Sequence, residues 1–192
     1  KSIEKEYKFK FKKKYLLVWY HPETLSSKNK KNILSLISAI LKFENIQFIF
    51  TSSNSDEGGD KINKIISKVS KKYKNIVFVK SFGQEKYLNV LKLSNGIIGN
   101  SSSGVHEAPS FKIGSLNIGN RQKGRLKIKT IINSDFKIKN IIKGINKILS
   151  KNFKNNIKLF KNPYYKKNTS ENIIRKIFSF KEKDLLIKKF YG

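Results

Sequence analysis

Gly96-Ile97-Ile98-Gly99-Asn100-Ser101-Ser102-Ser103-Gly104-Val105-His106-Glu107-Ala108-Pro109 is the stretch on which the fold turns. Residues 96–99 are an apolar run of strand length. A hydroxyl-rich turn follows, and 104–110 reads as a short helix. Strand, turn and helix in immediate succession are half of a βαβ unit. The same alternation extends both ways. Upstream, Leu16-Leu17-Val18-Trp19-Tyr20, Ile46-Gln47-Phe48-Ile49-Phe50 and Ile76-Val77-Phe78-Val79 are strand runs. Between them Ile33, Leu36, Ile37 and Ile40, then Ile62, Ile65, Ile66 and Val69, recur at helical spacing, and 85–94 completes the set. Downstream, 115–119 and 130–132 are strands, and Ile138, Ile141, Ile142, Ile145 and Ile148 form a helical stripe. A looser segment leads to a last helix near 170–180. The expected fold is α/β: a doubly wound, mainly parallel, six-stranded Rossmann-like sheet with helices on both faces.

Length and composition bound what this fold can do. The 192 residues suffice for one domain. Residues 15–180 are that domain, with 1–14 read as a linker from a preceding domain and 181–192 as a basic tail. With no cysteine and two histidines, a disulfide scaffold, a thiol nucleophile and a metal site are not expected. No apolar run approaches the roughly 20 residues of a membrane helix, and no signal pattern opens the chain. The net charge of +29 suggests a nucleic-acid partner, and Tyr7-Lys8-Phe9-Lys10-Phe11 interleaves aromatic and basic residues as such a surface would. Against this, only three of the 42 basic residues are arginines, beside two alanines and abundant Lys, Asn and Ile. That profile fits an A+T-rich coding bias better than phosphate recognition.

Each chemistry-bearing segment follows a strand, at the end where ligands bind in such sheets. Ser101, Ser102 and Gly104 open a helix, where free amides, hydroxyls and a closely approaching backbone suit an anion. Glu107, one turn on, can accept from both hydroxyls of a ribose. A serine-rich cap with a dipole-complementing Glu reads the same residues equally well. His21 is a phosphate donor, an acid/base, or a turn histidine. Asn54 lies in the polar turn 51–59. The backbone at Phe82 can meet a base edge, although its ring suits the core. Arg121 and Arg125, two of the three arginines, follow the fifth strand, where a guanidinium fork or mere surface charge explains them. His106 diverges by about 100° from Glu107 on a helix and reads as solvated or lining the cleft.

Taken in order, strand–His21-Pro-x-Thr24, Asn54-x-Asp56-x-Gly58, Gly99-Asn-Ser-Ser-x-Gly104-Val-x-Glu107 and Asn117-Ile-Gly-x-Arg121-Gln-x-Gly-Arg125 resemble the hydrolysing UDP-N-acetylglucosamine 2-epimerases. The nearest branch is that of bacterial sialic- and legionaminic-acid synthesis. The resemblance implies the C-terminal half of a GT-B fold, with the active site in a cleft against a missing N-terminal domain. It implies that Ser101 and Ser102 bind the diphosphate, Gly104 lets it approach, Glu107 holds the ribose and Phe82 marks the base position. It further implies that Arg121 and His21 face the phosphate and sugar, and that Asn54 contacts the sugar nucleotide. The family removes the C2 proton, expels UDP by anti-elimination and adds water, giving N-acetylmannosamine. UDP and UDP-N-acetylglucosamine, or a GDP analogue, are the implied ligands. No cofactor, nucleic acid or membrane is implied; the location is cytoplasmic and the family is often dimeric. Two departures stand out: Asp60 replaces a basic residue, and the family's Asn-Pro-Tyr-Gly-Asp-Gly-Asn-Ala-Ser becomes Asn162-Pro-Tyr-Tyr-Lys-Lys-Asn168-Thr-Ser170. A GT-B glycosyltransferase is the alternative reading, and a basic nucleic-acid-binding domain a more distant one.

Overall fold

A computed structural model describes residues 2–23, 26–54 and 58–180. Thr24, residues 55–57 (with Asp56) and the tail 181–192 lie outside the described residues. The strands are β1 (Tyr15–Trp19), β2 (Gln47–Thr51), β3 (Ile76–Val79), β4 (Ile97–Gly99), β5 (Ser115–Ile118) and β6 (Ile131–Ser134). The helices are α1 (Ile3–Tyr7), α2 (Asn29–Ile40), α3 (Gly59–Lys72), α4 (Gly83–Leu93), α5 (Ser103–His106), α6 (Ile138–Leu149), α7 (Lys151–Ile157) and α8 (Thr169–Ser179), with a 3₁₀ turn at Ala108–Phe111 after α5.

The six strands form one sheet in the order β3-β2-β1-β4-β5-β6, every pair parallel. Strand order reverses between β1 and β4, so the expected ligand crevice opens at their carboxyl ends. Both faces are covered, which is why the central strands read as continuous apolar runs rather than alternating ones. On one face Ile33, Leu36 and Ile40 of α2, Ile62 and Ile66 of α3, and Ile141, Ile145 and Ile148 of α6 bury against Leu16, Val18, Phe48, Phe50 and Leu116. On the other, Tyr87, Val90 and Leu91 of α4 and Ala108 of the 3₁₀ turn bury against Tyr15, Leu17, Ile49 and Ile97.

Residues 2–14, expected as linker, instead dock on this second face. Ile3, Tyr7, Phe9 and Phe11 pack against its core. The Tyr7 ring meets Phe82 edge-on at 4.9 Å, and the Gln47 side chain brackets the strap, accepting from Lys12 N–H and donating to the Lys10 carbonyl. Burying three aromatics outweighs the solvation of the intervening lysines. The rings that would have stacked on nucleobases are therefore turned inward.

The chain divides into two compact units, residues 1–161 and 162–192, where the sequence suggests one domain to 180. The described part of the second unit is a turn closed by the Tyr165 amide on the Asn162 carbonyl, then α8. Asn168 takes a positive φ of 54° ahead of α8, a backbone state that Asn tolerates better than most side chains.

Candidate functional site

The carboxyl ends of β1, β4 and β5 converge on Asn100, which is fully buried. Its side chain pairs with one residue across the switch point. Oδ1 accepts from the His21 amide at 2.7 Å, and Nδ2 donates to the His21 carbonyl at 2.8 Å. Its carbonyl accepts from Gln122 Nε2 at 2.7 Å and from Arg121 Nη1 at 3.3 Å. One asparagine thus ties the β1, β4 and β5 loops together. The fourth loop joins through His21, whose Nδ1 accepts the Asn54 amide at 3.0 Å. That bond requires Nδ1 without its proton, so the neutral ring carries hydrogen on Nε2. His21 is buried, Asn54 half-buried and Arg121 exposed.

Gly99, which begins the serine turn, has φ of +132°, and a Cβ there would meet the Trp19 carbonyl oxygen at 2.1 Å. Only glycine lets β4 approach β1 this closely. Beyond it the Ser101 and Ser102 amides make no hydrogen bond among the described residues. Ser101 Oγ accepts the Ser103 amide, and no side chain caps α5. The helix is four residues long, so little macrodipole builds up, and an anion here would be held chiefly by the two free amides. A Cβ on Gly104 would lie 3.3 Å from Ser115 Oγ, so the glycine also lets α5 seat closely on β5.

Glu107 closes α5, its amide donating to the Ser103 carbonyl at 3.1 Å. Its Oε2 is buried without a hydrogen-bond partner. Among the described residues the one ion pair is Lys86–Glu6, so Glu107 is not neutralised by a cation. Behind the turn, Tyr87 shares a short hydrogen bond with Ser103 Oγ, and its ring meets Trp19 edge-on at 4.9 Å. Burial pushes the Tyr87 hydroxyl well above the ordinary tyrosine range; the Ser103 bond counters this in part and the Glu107 charge adds to it. Trp19 donates to the Ser52 carbonyl and stands 5.7 Å from the His21 ring.

Phe82 belongs to the core by its side chain, while its amide is unpaired among the described residues. Arg125 and the Nε2 of His106 share a short contact at the rim. A neighbouring groove of about 730 Å³ is lined by Gln122, Arg125, Asn117 and Phe136 among others. Among the described residues no three His, Cys, Asp or Glu side chains gather as a metal site would require, and no helix is long and apolar enough to cross a membrane.

The structure brings His21, Asn54, Ser101, Ser102, Glu107 and Arg121 to one end of the sheet around a hub. Asn100, Gln122 and Tyr87 were not singled out in the sequence. The first two stood inside the quoted motifs, and a polar amide flanked by strand and turn residues was the signal. Tyr87 had none, because its partner is 16 residues away.

Comparison with known proteins places the chain in a known family. A family model described as UDP-N-acetylglucosamine 2-epimerase matches residues 1–178. "Polysialic acid biosynthesis protein P7" of Escherichia coli is 41% identical over 182 residues, 93% of this chain and 46% of the relative. "GDP/UDP-N,N'-diacetylbacillosamine 2-epimerase (hydrolyzing)" of Campylobacter jejuni is 41% identical over 159 residues, 81% of this chain and 41% of the relative. The chain thus spans less than half the length of these curated relatives. Among solved structures, a Staphylococcus aureus MnaA–UDP complex superposes with a TM-score of 0.71 at 20% identity, covering 100% of this chain and 51% of that one. The Neisseria meningitidis UDP-GlcNAc 2-epimerase bound to UDP-GlcNAc gives 0.66 at 18% identity, over 91% and 47%. At these identities the structural likeness speaks for the fold.

Proposed function

Because the chain belongs to the UDP-N-acetylglucosamine 2-epimerase family, we propose that it forms the nucleotide-binding half of a hydrolysing nucleoside-diphosphate-sugar 2-epimerase. The observation that carries this reading is the buried, unpartnered Glu107 Oε2, one short helix beyond two unpaired serine amides. Glu107 is half-buried overall, but a carboxylate oxygen left buried without a donor is costly unless a ligand supplies one. A ribose diol supplies two, and its diphosphate reaches the Ser101 and Ser102 amides.

In this reading the base meets the Phe82 backbone, and Asn54, His21 and Arg121 line the path to the sugar. The C2 proton of the amino sugar is removed, the bond from C1 to the diphosphate oxygen breaks, and UDP departs. Water adds to the resulting glycal at C1, and C2 regains a proton from the opposite face. Charge develops on the departing diphosphate. The serine amides, His21 Nε2–H and Arg121 act there as preorganised donors. The groups that move protons on the sugar belong to the other half of such an enzyme, which is the partner this half closes against. UDP-N-acetylglucosamine and N,N'-diacetylbacillosamine-type nucleotides, with uracil or guanine, are the substrate class, for sialic- or legionaminic-type surface sugars made in the cytoplasm.

Calorimetric titration of the 192-residue chain with UDP and GDP tests the reading. Glu107→Ala removes a charged acceptor of two hydroxyls, each such bond being worth about 1.5–3 kcal/mol. UDP affinity should fall by about a hundredfold or more, which a cost of about 3 kcal/mol implies. Undiminished UDP binding by Glu107→Ala refutes the ribose assignment.

A further inference from the structure

Tyr87 has no place in the expected chemistry, yet it sits directly beneath the serine turn. We propose that Tyr87 is a positioning residue that registers the diphosphate and ribose contacts together by clamping Ser103; this rests on the nucleotide reading above.

The argument starts from Ser103, which has three bonds in three directions. Its amide donates to Ser101 Oγ at 3.3 Å. Its carbonyl accepts the Glu107 amide at 3.1 Å. Its hydroxyl is taken by Tyr87. The first bond sets the serine that faces the diphosphate, and the second sets the backbone of the carboxylate that faces the ribose. Both pass through one residue, itself 3% exposed. Four helical residues cannot hold that residue firmly, since so short a helix gains little from its own cooperativity.

The external brace comes from α4. Tyr87 is 9% exposed and wedged edge-on against Trp19, which is in turn fixed by its bond to the Ser52 carbonyl at 3.1 Å. The phenol is thus held by packing, and its hydroxyl is the fixed end of the bond rather than the adapting one. A tyrosine hydroxyl is protonated across the neutral range, and burial moves its titration further from that range. The same bond engages the Ser103 hydroxyl, which leaves Ser101 and Ser102 as the serines proposed to meet the anion. Tyr87 acts through Ser103 and touches no ligand itself.

A double-mutant cycle on the 192-residue chain tests the clamp. Tyr87→Phe keeps the ring against Trp19 and deletes the bond. UDP affinity is read by calorimetry, folding by thermal midpoint, and the site by amide shifts on UDP addition. Tyr87→Phe and Ser103→Ala should each weaken UDP binding about five- to tenfold, and the double variant should be no weaker than the worse single, as expected for two halves of one interaction. In Tyr87→Phe the UDP-induced shifts at Ser101 and Glu107 should shrink while that at Phe82 persists, a pattern a mere loss of fold would not produce. UDP binding by Tyr87→Phe within about twofold of wild type overturns the clamp, as does a double variant whose loss is the product of the two singles. A wild-type chain that binds neither UDP nor GDP overturns the nucleotide reading, and the clamp with it. Wild-type binding with an unaffected Tyr87→Phe overturns the clamp alone.

Discussion

Asn100→Leu is the substitution that most directly probes how the site is held. The two side chains are similar in size, so the change removes hydrogen bonds without opening a large cavity. The His21 amide loses its acceptor at 2.7 Å and the His21 carbonyl its donor at 2.8 Å. Asn100 is 0% and His21 6% exposed, so water cannot replace either partner. A buried group left unpaired costs about 1–3 kcal/mol, giving about 2–6 kcal/mol for the two. Burying an apolar side chain in place of an amide returns about 1–2 kcal/mol. The net expectation is a loss of about 3 kcal/mol, a large part of the 5–15 kcal/mol that usually separates folded from unfolded chains. For a chain of this length that lowers the thermal midpoint by about 6–12 °C. Urea unfolding followed by fluorescence reads the change, since Trp19 is the sole tryptophan and lies at the site. The midpoint should fall while the slope is kept. Asn133→Ala, which removes an exposed amide pair with Asn117, is the control and should shift stability by under about 0.5 kcal/mol. An Asn100→Leu chain within about 1 kcal/mol of wild type would refute the claim that this side chain ties the β1 and β4 loops together.

Other substitutions test neighbouring parts of the argument. Gly99→Ala should yield no stably folded chain, because its Cβ would lie 2.1 Å from the Trp19 carbonyl oxygen, backbone that cannot move without unpairing β1 from β4; a circular-dichroism melt like that of wild type would contradict this. Glu6→Gln tests the docked N-terminal strap. The hydrogen bond from Lys86 holds the Glu6 carboxyl below its ordinary value. A depressed value means that the pair stabilises the fold above the unfolded-state pKa and that this contribution is lost as pH falls through the folded one. The pair is exposed, so its effect should be small, visible as a flatter acid limb in Glu6→Gln and erased in about 1 M salt. Tyr7→Ala removes an inward-facing ring and should lower the urea midpoint with little change in the affinity for short RNA; a selective loss of RNA binding would restore the aromatic strap as a nucleobase platform.

Much of this molecule is legible from one-dimensional pattern. Six apolar runs alternating with helical stripes dictate a parallel sheet, because the buried strands of such a sheet have no solvent face to mark with polar residues. The motif residues announce themselves where glycine and hydroxyls interrupt those runs, so His21, Ser101, Ser102, Glu107 and Arg121 are found by position after a strand. Tertiary structure alone decides the rest. Lys8 and Lys10 make residues 1–14 look like linker, since charge is visible in sequence while burial of the alternate rings is not. That the empty Cβ direction of Gly104 faces Ser115 is visible only in the fold. Asn100 to His21 and Tyr87 to Ser103 are bonds across 79 and 16 residues of chain. No local periodicity encodes such partners; they meet only because the sheet order brings β1 beside β4 and lays α4 over the turn that follows.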